Sequence, residues 1–292
     1  MRVWLAIGIT SACFFLSTLA GAQGLPPPRP IEPPPSKKIR FVADPVSDGA
    51  VLSISVGFAG LLELIIGTQE LTPQQPEETS KLIGIDETVV HQERSSTALA
   101  VSHIGIFTTG AYALGDTVFT GMSEGSQAGL VDFVIYAESA SITWALTNLA
   151  KIAVRRPRPG AYRERDERVS QGLPPVVVTD TNSALSFFSG HAAITAALST
   201  TATYLAFSRS ESPLRGYLTL AGGTIVTSAV SWGRVKGGAH FPTDVIAGAM
   251  AGVGVGALVP HLHREASVKE RPIWIGTGPE GSNFGLTLNG SF

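Results

Sequence analysis

Residues 129–159 read GLVDFVIYAESASITWALTNLAKIAVRRPRP. Gly129 to Ala150 is an apolar run of helical length with no regular strand alternation, so it predicts a helix. The run gives way directly to Lys151, Arg155, Arg156 and Arg158, and the prolines at 157 and 159 disfavour helix in the residue before each of them. Five further segments share this texture: 51–67, 98–121, 192–207, 217–232 and 245–260. Six apolar segments rich in Ala, Leu, Gly and Thr predict an all-α fold, a helical bundle of about six core helices. Glu63, Asp116, Asp132 and Glu138 interrupt these segments, and Thr195, Ser199, Thr200, Thr201 and Thr203 make the fourth heavily hydroxylated. Acids are costly inside a bilayer. The segments therefore fit an integral bundle and a peripheral or soluble one equally well.

Composition narrows the field. The chain has 292 residues, 44% hydrophobic and 15% charged, which is too apolar for disorder, and a lone Cys13 excludes a disulfide scaffold. A formal charge of −2 provides no polycationic face, so nucleic acid is not an expected partner. Residues 1–22 read as a secretory signal peptide: Arg2, an apolar run from Val3 to Ala20, then Ala20-Gly21-Ala22 before Gln23. The other reading of the same run is an uncleaved anchor. Cleavage would remove Cys13 and take the charge to −3, giving a cysteine-free chain suited to a periplasm or cell envelope. Residues 23–45 are a Pro-rich spacer, 46–264 the helical domain, and 265–292 a polar tail. Its RPIWIGTG and FGLTLNGSF stretches, separated by PEGSN, predict a short hairpin.

Three blocks concentrate the chemistry. The first is Lys151 to Pro159; alone, it reads as a basic helix C-terminus favoured by the macrodipole. The second, Ser186-Phe-Phe-Ser189-Gly190-His191, reads alone as a Ser N-cap followed by a flexible glycine. The third runs from Trp232 through Arg234, His240, Phe241 and Pro242 to Asp244, and alone it is a glycine turn with proline at a helix start. Together they describe a phosphate site. Lys151, Arg158 and Arg234 lack acidic partners within their own blocks; Arg forks bind phosphate oxygens in pairs and Lys adds a point charge. A helix starting at Ser189-Gly190 aims free amides at an anion. His240 and Asp244, four apart, let a carboxylate accept the imidazole N–H and free the other nitrogen to attack phosphorus. His191 can protonate the departing oxygen. No metal is needed, because the fixed cations stabilise the equatorial oxygens.

Lys151-x6-Arg158-Pro159, Ser189-Gly190-His191 and Arg234-x5-His240-x3-Asp244, in this order, resemble the three-part signature of the type 2 phosphatidic acid phosphatase and vanadium haloperoxidase superfamily. The resemblance implies His240 as nucleophile through a phosphohistidine, Asp244 as its orienter and His191 as general acid. It implies phosphate binding by Lys151, Arg158, Ser189, Gly190 and Arg234. Phe188 stands where the family usually has proline, and Gly233 where it often has serine.

The expected activity is a metal-independent phosphatase acting on phosphomonoesters or diphosphates, with phosphorylated lipids leading and a membrane surface as partner. The alternatives are a vanadate-dependent haloperoxidase, with vanadate as cofactor in the same pocket, and a non-catalytic envelope phosphate-binding protein. Gly160 to Phe187 is expected to be a loop of about 28 residues, long enough to suggest function. Arg155 and Arg156 could serve a second phosphate, a lipid headgroup or solvent. Asp132 and Glu138 are expected to be satisfied partners between helices.

Overall fold

Each of the six apolar segments forms a helix, and caps, prolines and glycines set the ends. A computed structural model of the chain describes residues 39–265, 273–276 and 287–290. The long helices are α1 (Ser47–Gly67), α3 (Ser96–Glu124), α4 (Ser126–Val154), α6 (Gly190–Arg209), α7 (Pro213–Lys236) and α8 (Pro242–Leu262), with shorter α2 (Gly84–Val90) and α5 (Pro159–Ser170). The hydroxyls of Ser95 and Ser189 accept from the amides of Ala98 and Ala192, capping α3 and α6. Pro213 and Pro242 open α7 and α8 at the position that has no amide bond to lose. α4 ends as Arg155 enters the left-handed region at φ 50°, two residues before Pro157.

α6 is the central helix, with α3, α4, α7 and α8 against it. Its contact with α8 is close because α8 presents Gly248, Gly252 and Gly256 on one stripe. A Cβ on these would meet the carbonyl oxygens of Ser189, Ala193 and Ala197 at 2.6, 2.1 and 2.3 Å. Ile135, Leu198, Ala202, Leu205, Val255 and Val259 fill the core beside this contact. α1 lies along α4: Ser55 and Ser141 share a hydrogen bond at 2.8 Å, and Asn148 donates to Glu63 at 2.8 Å.

The acids within the apolar helices are accounted for. Asp132 pairs with Arg209 at 2.6 Å, Asp116 pairs with Arg215 at 2.6 Å and accepts from the Tyr136 hydroxyl, and Glu138 faces His263. These three point into the bundle, and Glu63, which is exposed, accepts from Asn148, so most of the sequence-based objection to a membrane location falls away. The outer surface carries large apolar side chains instead, among them Ile54, Leu64, Phe107, Met122, Ile225 and Met250. α1, α3 and α8 are long and apolar enough to cross a membrane, which is compatible with membrane association.

Two expectations change. Residues 159–170, placed in a long loop, form α5, whose charged face is tied down: Arg163 donates to the carbonyls of Val90 and Gln92, and Asp166 accepts from Thr79. Only the stretch between α5 and α6 remains irregular, apart from a 3-10 turn at Thr181–Ala184. The spacer ends earlier than expected. Ile39 and Val42 donate to the carbonyls of Ser208 and His263, and Phe41 is buried in the core beneath the Arg209 guanidinium. The tail forms its hairpin: Ile273–Gly276 pairs antiparallel with Thr287–Gly290, Ile273 opposite Gly290. The leader and the Pro-rich stretch to residue 38 lie outside the described residues.

Candidate active site

All three basic blocks meet at one end of the bundle. Lys151 is in the last turn of α4, Arg158 caps α5, Ser189 to His191 open α6, Arg234 is in the last turn of α7, and His240 to Asp244 lead into α8. The chain reaches His240 through a turn at Gly238, whose φ of 70° suits glycine.

His240 is 3% exposed, and its Nδ1 lies 2.7 Å from the carbonyl oxygen of Ser186. A carbonyl only accepts, so Nδ1 carries the proton and Nε2 keeps its lone pair. This departs from the expected direct bond to Asp244, whose Oδ2 is 3.8 Å from Nδ1. The carboxylate is already saturated. Its Oδ2 accepts from the Ser186 hydroxyl and from the Phe241 amide at 2.9 Å, and its Oδ1 takes Arg156 at 2.7 Å. Asp244 therefore positions His240 through Ser186 and the turn.

Arg156 was a candidate for a second phosphate, and the structure assigns it elsewhere. Its guanidinium bridges Asp244 and buried Asp86, donates to Thr243, and stacks 4.2 Å over the Phe241 ring. Thr243 closes the network by bonding Asp86 through its hydroxyl at 2.6 Å and its amide at 3.0 Å.

Lys151, Arg158 and Arg234 are different. Among the described residues none of them has a carboxylate within 4.0 Å, and the buried Nε atoms of Arg158 and Arg234 lack any hydrogen-bond partner. Burial holds all three below their ordinary values, and repulsion from neighbouring cations adds to the fall for Lys151 and Arg234. Arg234 is brought down to about 10 by burial and Arg158, and Lys151 falls for the same reasons. For Arg158 burial outweighs the raising effect of Asp180 and Asp244. Burial likewise takes His240 down to about 4 despite Asp244, with Arg158 and Arg234 adding to the fall. Burial, Arg234 and His103 take His191 down to about 3. None of these groups belongs to α1, α3 or α8. A buried cluster of cations without counter-charge is electrostatically incomplete, and an anion completes it.

The α6 N-terminus adds donors. The amides of Gly190 and His191 have no intrahelical acceptor, Ala192 being bound to the Ser189 hydroxyl. Glycine at 190 is explained by packing: a Cβ there would lie 3.1 Å from Thr147 Cγ2. Packing also explains the departure at Gly233, where a Cβ would sit 2.4 Å from the Ala98 carbonyl oxygen. α3 occupies the space a serine would need.

Sequence reasoning missed His103. It projects from α3, and its Nδ1 lies 3.1 Å from Nε2 of His191, leaving His191 Nδ1 for other partners. Its one signal in the sequence is a titratable side chain within an apolar helix. Arg94 was also missed. With Arg158, Asp180, Ser183 and Ala239 it lines a cavity of about 550 Å³ beside the cations.

With this geometry in place, similarity to known proteins can be added. Residues 132–267 match the PAP2 superfamily. This stretch is a PAP2-superfamily domain. It spans α4 to α8 and includes all three blocks, so the match supports phosphatase-type hydrolysis of phosphoesters. No curated protein and no solved structure matches the chain.

Proposed function

We propose that the chain is a metal-independent phosphatase embedded in a membrane, which hydrolyses lipid phosphates through a phosphohistidine on His240. The observation that carries this reading is the set of three buried cations without carboxylate partners beside a neutral, tautomer-fixed histidine. The substrate phosphate is held by Lys151, Arg158 and Arg234 and by the Ser189-Gly190 turn. His240 Nε2 attacks phosphorus and forms the P–N bond while the P–O bond to the leaving group breaks. His191 gives its proton to the departing oxygen. In the second half a water attacks phosphorus, His191 takes the water's proton, the P–N bond breaks and inorganic phosphate leaves. The cations carry the equatorial charge throughout.

His103 positions His191. When His191 is protonated, its Nε2–H donates to His103 Nδ1, which leaves the Nδ1–H for the substrate. The lipid preference rests on the apolar outer surface and on the mixed lining of the cavity beside Arg158, where Val176, Val177 and Leu99 face Arg94. A panel of an aryl phosphate, phosphatidate and an isoprenyl diphosphate, assayed in excess EDTA, tests both parts. Turnover should persist in EDTA, vanish in His240→Ala and favour the lipids. Loss of turnover on chelation would overturn the histidine mechanism, and equal rates on all three substrates would overturn the lipid preference alone.

A further inference from the structure

A second cluster of chemistry lies at the other end of the bundle. Asp48 comes from the first turn of α1, Glu138 from α4 and His263 from the C-cap of α8. His263 is 19 residues beyond Asp244, about 28 Å along a helix. One potential ligand atom from each residue falls within 4.8 Å of the other two.

The histidine is set up as a ligand. Its Nδ1 lies 2.8 Å from the Val259 carbonyl oxygen, so Nδ1 carries a proton and Nε2 is the ring nitrogen turned toward the carboxylates. This is the arrangement in which a backbone carbonyl fixes the tautomer of a metal-binding imidazole. His263 is only 5% exposed, and its Nε2 has no hydrogen-bond partner. That atom is aimed at two carboxylate oxygens, Asp48 Oδ2 and Glu138 Oε2, each 3.5 Å away. A direct charge-assisted hydrogen bond would be about 2.7–2.9 Å. For a tetrahedral ion with bonds of about 2.1 Å, neighbouring ligand atoms are about 3.4 Å apart. The observed spacing therefore suits an ion between the groups better than direct contact. Asp48 is further oriented by the Asp44 amide on Oδ2 at 2.6 Å and the Ser47 hydroxyl on Oδ1. Once Nε2 is free of a proton, two carboxylates and one imidazole carry a charge that one divalent cation cancels.

We propose that Asp48, Glu138 and His263 form a divalent-metal site, of the imidazole–carboxylate type that takes Zn²⁺, which clamps the start of α1 and the end of α8 to α4. One imidazole and two carboxylates provide three ligands, and water completes the tetrahedron. The site is structural and separate from the phosphate pocket, so it stands whether or not the chain hydrolyses lipid phosphates.

The test uses the purified full-length chain in detergent, stripped with chelator and titrated with Zn²⁺. One equivalent should bind and the melting temperature should rise. Co²⁺ in its place should give the visible absorption of a tetrahedral ion. His263→Gln and Asp48→Asn should each weaken Zn²⁺ binding more than a hundredfold, while His191→Gln should keep the equivalent. If the variants do not fold, X-ray absorption on the wild-type zinc form decides, with one imidazole nitrogen and carboxylate oxygens expected at about 2.0–2.2 Å. Failure to retain Zn²⁺, retention undiminished in His263→Gln and Asp48→Asn, or loss in His191→Gln alone would overturn the proposal. The last result would put the ion on the His103–His191 pair.

Discussion

His240 is held by a backbone carbonyl: its Nδ1 lies 2.7 Å from the oxygen of Ser186, nearer than any carboxylate. The segment carrying that carbonyl is anchored twice, by the Ser186 amide on the Arg156 carbonyl and by the Ser186 hydroxyl on Asp244. Removing only the hydroxyl leaves the carbonyl in place. Ser186→Ala should therefore lower kcat less than tenfold and cost about 1–3 kcal/mol of stability, the usual effect of leaving a buried acceptor short of a donor. Asp244→Ala should do more. It strands Arg156 beside Asp86 and frees the turn, costing about 3–5 kcal/mol and most of kcat. Thermal unfolding and single-turnover kinetics on both variants check the contrast; equal damage would mean that the hydroxyl itself orients His240.

The low proton affinities of both histidines fix the pH dependence. His240 at about 4 and His191 at about 3 are neutral at pH 7 in the free enzyme. The proton for the leaving group then arrives with the substrate, whose second ionisation falls at about pH 6. Neutral enzyme with phosphate monoanion is equivalent to protonated His191 with the dianion, so kcat/KM should be flat between about pH 4 and 6 and fall on either side. Stability follows by linkage. The unfolded histidines bind protons from about pH 6.5 downward, whereas the folded ones do so only near 3 to 4. Folding should thus weaken as pH falls through that window, and the loss should cease below it. A kcat/KM profile with its acid limb at 6.5 would contradict the buried, neutral histidines.

His103 should reveal itself through the acid step. His103→Ala removes the acceptor that orients the His191 Nε2–H, and with it a repulsion that helps hold His191 low, so the acid step loses ring placement and not proton affinity. It should lower kcat about 10- to 100-fold with little change in KM, within the range assigned to general-acid assistance. His103→Asn restores an acceptor oxygen and should recover part of the loss. Substrates with good leaving groups, which need no proton, should be nearly indifferent to either change. A uniform loss across leaving groups would make His103 a packing residue only.

Legibility in the sequence followed the range of the interactions. The six long helices show as apolar segments because their outward faces are apolar as well, and the three blocks show because each is local to one helix end. α5 did not show: PGAYRERDERVS has no apolar stripe, and the helix is held by Arg163 and Asp166 bonds to residues about 70 to 90 positions away. Separations of 88 and 215 positions hid His103 from His191 and Asp48 from His263. The orienter of His240 was misread for another reason. A His-x3-Asp spacing advertises a side-chain pair, whereas a backbone carbonyl leaves no mark in a sequence. Arg156 looked like Arg158 in the string RRPRP, and only the burial of Asp86 separates their roles.

That separation is testable. Arg158→Ala removes a cation that Lys151 and Arg234 otherwise repel, so the protein should keep or gain stability while KM rises and kcat falls. Arg156→Lys keeps the charge but cannot bridge Asp86 and Asp244 together, since an ammonium has no planar fork. It should lower the melting temperature and leave KM nearly unchanged in the fraction that remains folded. Phosphate or vanadate should stabilise the wild type and Arg156→Lys alike, and stabilise Arg158→Ala much less.

The outer surface bears on the membrane question. Phe107 on α3 is 77% exposed, whereas Asp132 and Glu138 on α4 are buried. In water this inside-out distribution would expose apolar area over several helices, which favours aggregation. In a bilayer it is the expected pattern, with paired acids inward and apolar side chains toward lipid. Phe107→Lys distinguishes the two. A bilayer-embedded helix should lose about 2.5–3.5 kcal/mol of insertion free energy if position 107 is near the midplane, so less protein should reach the membrane fraction and remain there after an alkaline wash. A bundle in water should tolerate the same change or become more soluble. Wild-type chain released by alkaline carbonate without detergent would show that the apolar surface rests against the membrane without crossing it.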